Sequence, residues 1–480
     1  MKKNQLLLCI CTLFMAHTAF CQNKKVIIEG QMNSLKDSDK VTLTIDPYGA
    51  PGFDDLRKTY VLPLVNHKFR FSVALPKSLS RFELIFTEKG DKRAYANLRL
   101  KLRVNSYIEQ GQHLIITENN GMNIFSGSAA KNAIVAHEVN TQIKVPFEMV
   151  NPKNGLLFLK HSDSTFMAKL KYLKTKKRVL SPDVYDLLTA DVLAYYYGKG
   201  LFFCWMTGDK LKTAMELIKD YKAIKVDDYV NTSMFNKKKI LMYSGSYTKF
   251  GILQQYLLDS CYKRGKTDLQ LPKAYAYFSK HYTGALKERL LMNLLYLYKD
   301  LGMVMQPYIN NTLAIATNQD FFPILNDLKR TRVKGVTAYN FTLKDVDGNT
   351  HRLSDYKGKV VVMDFWFTGC GACRESAPIL DSIENVYKGK EVVFFSINTD
   401  RKKEEWLPAI ASHQYTSDKT INLLTDGMAL KHIVSIKYGV TAAPTYFIIG
   451  KEGKLSGNPV FPVLDNGQDL SYKIKQELDK

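Results

Sequence analysis

The most constraining feature of this chain is "VVVMDFWFTGCGACRESAPILDSIENVYKG", residues 360–389. An apolar run this short cannot span a bilayer. Followed at once by an amphipathic helical pattern, it predicts a strand covered on both faces, the middle of a β-α-β unit. The pattern continues through a second apolar strand, "EVVFFSIN", and helices at "KKEEWLPAIASHQ", "GMALKHIVSIKYG" and "DLSYKIKQELDK". "TYFIIGKEGKL" reads as a strand and hairpin turning at Glu452-Gly453, and Asp347-Gly348 signals an earlier hairpin. Residues 336–480 are therefore expected to form one α/β domain. Cys370 falls where the first strand ends and its helix begins, with Cys373 within the first turn. A helix N-terminus stabilises a thiolate, so the first cysteine can attack a disulfide and the second can resolve the product. A structural zinc site needs two more ligands. Cys204 and Cys261 form no second close pair, and His413 and His432 lack ligand spacing, so the context favours a redox pair.

Two other regions precede this one. Residues 24–128 contain six or more short alternating segments, among them "KVTLTI", "HKFRFSVAL" and "HLIITE", separated by turn-rich stretches. Their spacing predicts a small β-sandwich, with Phe69, Phe71 and Val73 facing one way and Lys68, Arg70 and Ser72 the other. From 129 to 335 the period changes to helical. "SPDVYDLLTADVLAYYYGKG" offers Ser181 as N-cap, Pro182 as first helical residue and Gly198 as a stop, and "GALKERLLMNLLYLYKDLG" ends at Gly302. The aromatics of this stretch read as helix-packing core, Cys204 as a buried thiol and Cys261 as a more exposed one. The fold class expected is thus multidomain, with a sandwich at 22–128, a helical region at 129–335 and an α/β domain at 336–480.

The first residues, "MKKNQLLLCICTLFMAHTAFCQNKK", pair two lysines with an apolar run and small residues, the order of a signal peptide cut after Cys21. Cys21 as a lipid-attachment site ranks second, because Phe20 is bulky where a small residue is wanted. The formal charge of +22 would suggest nucleic acid in a cytosolic chain. Export and the even spread of lysines argue instead for no nucleic acid and for a solvated basic surface that anionic membranes can attract. Seven cysteines in 480 residues, three of them in or beside the leader, do not make a disulfide scaffold.

Residues 336–480 resemble the thioredoxin-like domain of the TlpA/ResA group of exported bacterial thiol–disulfide oxidoreductases, on "FTLKDVDGNTHRLSDYKGKVVVMDFWFTGCGACRESAP" and "YGVTAAPTYFIIGKEGKL". The resemblance covers the C-terminal third of the chain. It implies a redox pair at Cys370 and Cys373, on a helix kinked at Pro378, and no organic cofactor. Pro444 matches the family's cis-proline, which would set the Ala443 backbone beside the sulfurs to receive a substrate strand. The alternative for Pro444 is an ordinary trans proline opening a strand. Asp364 matches the buried acid of thioredoxins; among Val, Met, Phe and Trp its pKa should rise, letting it exchange a proton with Cys373. The alternative there is a carboxylate that reaches solvent or a lysine. Trp366 is expected to pack beneath the active-site loop. Two positions depart from the pattern: Gly371-Ala372 between the cysteines, and Gly369 where Trp is frequent. The function implied is reduction of disulfides in other exported proteins, in the periplasm or cell envelope, recharged by a membrane thiol donor. A peroxiredoxin-type peroxidase is one competitor, disfavoured because Phe367 and not Thr lies three residues before Cys370. An envelope binding or assembly protein with a vestigial redox domain is another. A β domain and helices ahead of such a domain also resemble a group of exported bacterial proteins of unknown substrate.

Overall fold

Strand alternation does what the spacing asks of it at Lys68–Val73, where Phe69, Phe71 and Val73 are buried and Lys68, Arg70 and Ser72 exposed. The computed structural model describes residues 25–49, 57–87, 100–119, 122–141, 155–206, 238–248, 271–299 and 305–480. Expectations that fall on the leader, Cys21, the Cys204 side chain and Cys261 lie outside these residues. The chain divides into two compact units, Met1–Leu258 and Asp259–Lys480. That division falls inside the stretch read as a single helical region, and the helices from Leu271 onward share a unit with the α/β domain.

The first unit holds strands β1 (Val26–Gln31), β2 (Lys40–Asp46), β3 (Lys58–Pro63), β4 (Lys68–Val73), β5 (Leu79–Thr87), β6 (Leu100–Glu109), β7 (His113–Asn119) and β8 (Met122–Ser126). They form two four-stranded sheets, ordered β4-β1-β7-β8 and β3-β2-β5-β6. Every pairing is antiparallel except β1 with β7. Inward residues of both sheets, including Ile28, Leu43, Phe69, Phe82 and Ile116, make one continuous core, the packing a sandwich requires. Helices α1 (Ala130–Thr141), α2 (Gly155–Lys176) and α3 (Pro182–Met206) follow. One local expectation needs correction. Helix α3 continues through Gly198 to Met206, since a mid-helix glycine costs only about 1 kcal/mol and does not force termination. Ser181 occupies the N-cap position before Pro182, its carbonyl accepting the Tyr185 N–H, and its hydroxyl donates to Glu109 Oε1 at 2.9 Å.

The second unit opens with helices α4 (Leu271–His281), α5 (Gly284–Tyr298), α6 (Gln306–Ile315) and α7 (Phe322–Arg332), which form an arm. Helix α5 stops at Tyr298, earlier than its pattern suggested. The arm leads into a seven-stranded sheet ordered β10-β9-β13-β12-β11-β14-β15. Its strands are β9 (Thr342–Asp345), β10 (Thr350–Arg352), β11 (Val360–Trp366), β12 (Val392–Asn398), β13 (Ile421–Leu424), β14 (Thr445–Ile449) and β15 (Leu455–Gly457). β11, β12 and β13 run parallel, and β14 lies antiparallel to β11. Helices α8 (Gly371–Val386), α9 (Lys403–Ala411), α10 (Ile433–Lys437), α11 (Pro462–Asp465) and α12 (Gln468–Leu478) connect and cover it. Alternate residues of β11 enter different cores: Val361, Met363 and Phe365 one, Val360 and Val362 the other with Leu380, Ile383 and Ile474. Cover on both sides is why the strand reads as a continuous apolar run. Gly348 and Gly453 take φ of +86° and +74° in the two expected hairpins, where glycine meets no steric penalty. No described helix is long and apolar enough to cross a membrane.

Candidate active site

β11 is an interior strand, between β12 and β14, and its C-terminal end leads directly into residues 367–370. This turn is pinned from three sides. The Thr368 N–H and hydroxyl donate to the Asp400 carboxylate at 2.9 and 2.6 Å, and Asn398 Nδ2 donates to the same carboxylate at 2.9 Å. The Gly369 N–H donates to the Tyr415 hydroxyl at 2.9 Å. Beneath it, fully buried Trp366 stacks on Tyr415 with ring centroids 4.9 Å apart and donates from Nε1 to Ser396 Oγ at 2.6 Å. Gly369 has φ +93°, a conformation that disfavours any side chain. The departure from the family at this position therefore has a backbone reason.

Cys370 is the N-cap of α8, and its sulfur accepts the Cys373 N–H at 3.1 Å, one of the donors a helix start leaves without an internal partner. The two cysteines are joined as a disulfide with Cα atoms 5.2 Å apart. Both are buried, Cys370 at 5% exposure and Cys373 at 2%, so the first is the more accessible by a narrow margin. They share a small cluster with Trp366, Trp406, Ala409 and Tyr415, against which Ala443 packs. The Ala443–Pro444 bond is cis. Pro378 lies within α8, as expected.

Asp364 sits mid-strand, opposite Ser396 on β12 and Tyr446 on β14. It is 8% exposed, and its Oδ1 is without a hydrogen-bond partner among the described residues. Burial pushes its carboxyl up to about 8, with the charge of Glu384 adding to the shift. Asp364 has no lysine partner among the described residues: Lys419, which lines the same cavity of about 380 Å³, is paired with Asp381 at 2.5 Å. Glu384 also lines that cavity, accepts a hydrogen bond from the Ser417 hydroxyl, and has its own pKa raised by burial.

The structure thus gathers Cys370, Cys373 and Ala443 in one cluster, while Asp364 opens into the adjoining cavity with the turn of α8 that follows Cys373. Sequence reasoning missed Asp400, Tyr415 and Glu384. Only Glu384 left a signal: it falls one residue after Ile383 and four after Leu380, on the buried stripe of α8. Asp400 and Tyr415 lie in polar stretches that no local pattern links to residue 369.

Chemically, a disulfide at a helix start can accept two electrons and return them as a dithiol. The family model described as Redoxin matches residues 333–463. The chain is 32% identical over 147 residues to the thioredoxin-like protein YneN of Bacillus subtilis, covering 30% of this chain and 79% of that one. It is 32% identical over 131 residues to the thiol-disulfide oxidoreductase ResA of Bacillus subtilis, covering 26% of this chain and 67% of that one. A solved structure, the thioredoxin domain of a thiol-disulfide oxidoreductase from Bacteroides vulgatus, is 29% identical with a TM-score of 0.26, covering 30% of this chain and 98% of that one. Through its C-terminal third, this chain belongs to the ResA-like family of thioredoxin-like thiol–disulfide oxidoreductases.

Proposed function

We propose that the enzyme reduces disulfides of other exported proteins, with Cys370 as the attacking and Cys373 as the resolving residue. The observation that carries this reading is the bonded cysteine pair at the start of α8 with Ala443 packed against it. In the reduced enzyme the Cys370 thiolate attacks one substrate sulfur, forming a mixed disulfide and releasing the other sulfur as a thiolate that takes up a proton. Cys373 then gives its proton to the Asp364 carboxylate and attacks Cys370 Sγ. The second substrate sulfur leaves, and the Cys370–Cys373 disulfide remains. Two electrons have passed to the substrate, and a membrane thiol donor restores the dithiol. An acid that titrates near 8 can take and return that proton close to neutral pH. Ala443 presents its backbone to an extended substrate segment beside the sulfurs, held by Pro444. The sandwich and the helices that follow it select or position partners. The leader pattern supports removal of residues up to Cys21 and work in the periplasm or cell envelope, with lipid attachment at Cys21 as the second route.

The test uses the full chain carrying Cys373→Ser, which should accumulate partners in mixed disulfides that dithiothreitol releases. If instead Cys370→Ser is the form that traps, the assigned roles are reversed. Mass spectrometry of the mature N-terminus checks export, and a retained Met1 sinks it.

A further inference from the structure

Helix α10 ends at Lys437, and the carbonyls of Lys437 and the two residues after it are held by cations from the arm. Arg330 donates to the Lys437 carbonyl, and Arg332 Nη1 donates to the Tyr438 carbonyl at 2.9 Å. Lys299 Nζ donates to the Gly439 carbonyl at 3.2 Å and to Thr441 Oγ1 at 2.7 Å. The same Arg332 reaches back to the Lys299 carbonyl at 2.9 Å, and its guanidinium lies 4.8 Å from the centre of the Phe447 ring on β14. Lys299 and Arg332 are only 5% and 4% exposed. Burying a cation is expensive unless its donors are well placed, and apolar contact alone could have fastened the arm. These cations do something more local. They satisfy carbonyls that a helix end leaves without internal partners, on the run that continues through Val440 and Thr441 to Ala443 at the sulfurs. Gly439 has φ +61°, a left-handed conformation that favours glycine.

We infer that Lys299 and Arg332 are positioning residues for substrate selection: through the Tyr438 and Gly439 carbonyls they set where the 440–443 segment lies against the cysteines, and so favour an extended polypeptide disulfide over a small one. This rests on the reading that substrate backbone docks at Ala443. A small disulfide needs only the sulfurs, whereas a protein strand also needs the segment in register, so loosening the segment affects the second selectively.

The test compares the reduced full chain with its variants on two probes, insulin and 5,5′-dithiobis(2-nitrobenzoate). Lys299→Gln and Arg332→Met should each raise KM for insulin about tenfold, the equivalent of one charged hydrogen bond, with kcat and the small-disulfide rate within about twofold. Arg332→Lys keeps the charge without the fork and should fall between wild type and Arg332→Met. Should Arg332→Met fail to fold by circular dichroism, Lys299→Gln and Arg332→Lys carry the same comparison. Equal losses on both probes would mean the cations only stabilise the unit, and no change on either would mean they do not position the segment; both overturn the inference. Ala443→Gln separates the two readings. If it leaves KM for insulin unchanged, docking at Ala443 is wrong. If it raises KM while Lys299→Gln does not, only the positioning role is wrong.

Discussion

Strands β4 and β11 are alike in length and opposite in what they do with charge. Along β4, Lys68 and Arg70 project outward between buried Phe69, Phe71 and Val73, and Arg70 pairs with Glu29 at the surface. Along β11 all seven positions are buried, and Asp364 is among them. An outward charge on a one-sided strand is hydrated and contributes little to stability in either direction. A carboxyl within a strand covered on both sides must be held neutral or carry a large desolvation cost. Charged residue types are therefore hydrated on the sandwich strand and desolvated on the second unit's strand.

The comparison breaks most visibly at the sulfurs. Cys370→Ser should lower insulin reduction by at least about a hundredfold, the loss of a nucleophile, whereas Arg70→Ala on β4 should leave it unchanged. A comparable loss with Arg70→Ala would mean the sandwich surface takes part in turnover. Next in size is Phe69→Ala, which opens a cavity in the sandwich core and should cost about 3–5 kcal/mol in urea unfolding, with turnover per native molecule retained. Asp364→Asn sharpens the contrast between the strands. It should slow turnover at neutral pH about tenfold, as loss of a proton acceptor does, while stabilising the protein in alkali. The sign follows from a folded-state value of about 8 against roughly 4 in the unfolded chain. Wild type has its full stability below the unfolded value and loses it as pH rises through 8, and the amide has nothing to lose. Thermal melts at pH 4, 7 and 9 should show the Asn variant gaining on wild type toward high pH; a flat difference would mean Asp364 is already ionised in the native protein. The smallest effect belongs to Tyr415→Phe, which keeps the stack on Trp366 and removes the acceptor for the Gly369 N–H. About 1 kcal/mol is expected in urea melts.

What could be read in the sequence was whatever local spacing encodes. Alternation at Lys68–Val73 placed the sandwich faces, the apolar run at Val360–Trp366 placed a doubly covered strand, and two cysteines at a strand–helix junction marked the site. Asp364 stood out because a carboxylate in such a run contradicts its surroundings. Tyr415 and Asp400 did not, since they act on residues 46 and 32 positions away and nothing in their own neighbourhoods is irregular. The partition of the helices was equally hidden. Apolar periodicity shows that α5 and α7 bury a face but not which sheet they join. In the structure Lys299 and Arg332 bond the Gly439 and Tyr438 carbonyls of the α/β domain, although on sequence alone both look like surface residues.

The reach of Arg332 also orders events in time. Its partner in the arm, Lys299, lies 33 residues earlier, but its partner at the end of α10, Tyr438, lies 106 residues later. At roughly 5–20 residues per second of synthesis, that gap is a wait of about 5–20 seconds. Both cysteines emerge within this interval, before the stretch that will enclose them exists. The chain therefore makes both thiols before it makes Tyr438 and Gly439, whose carbonyls Arg332 and Lys299 hold.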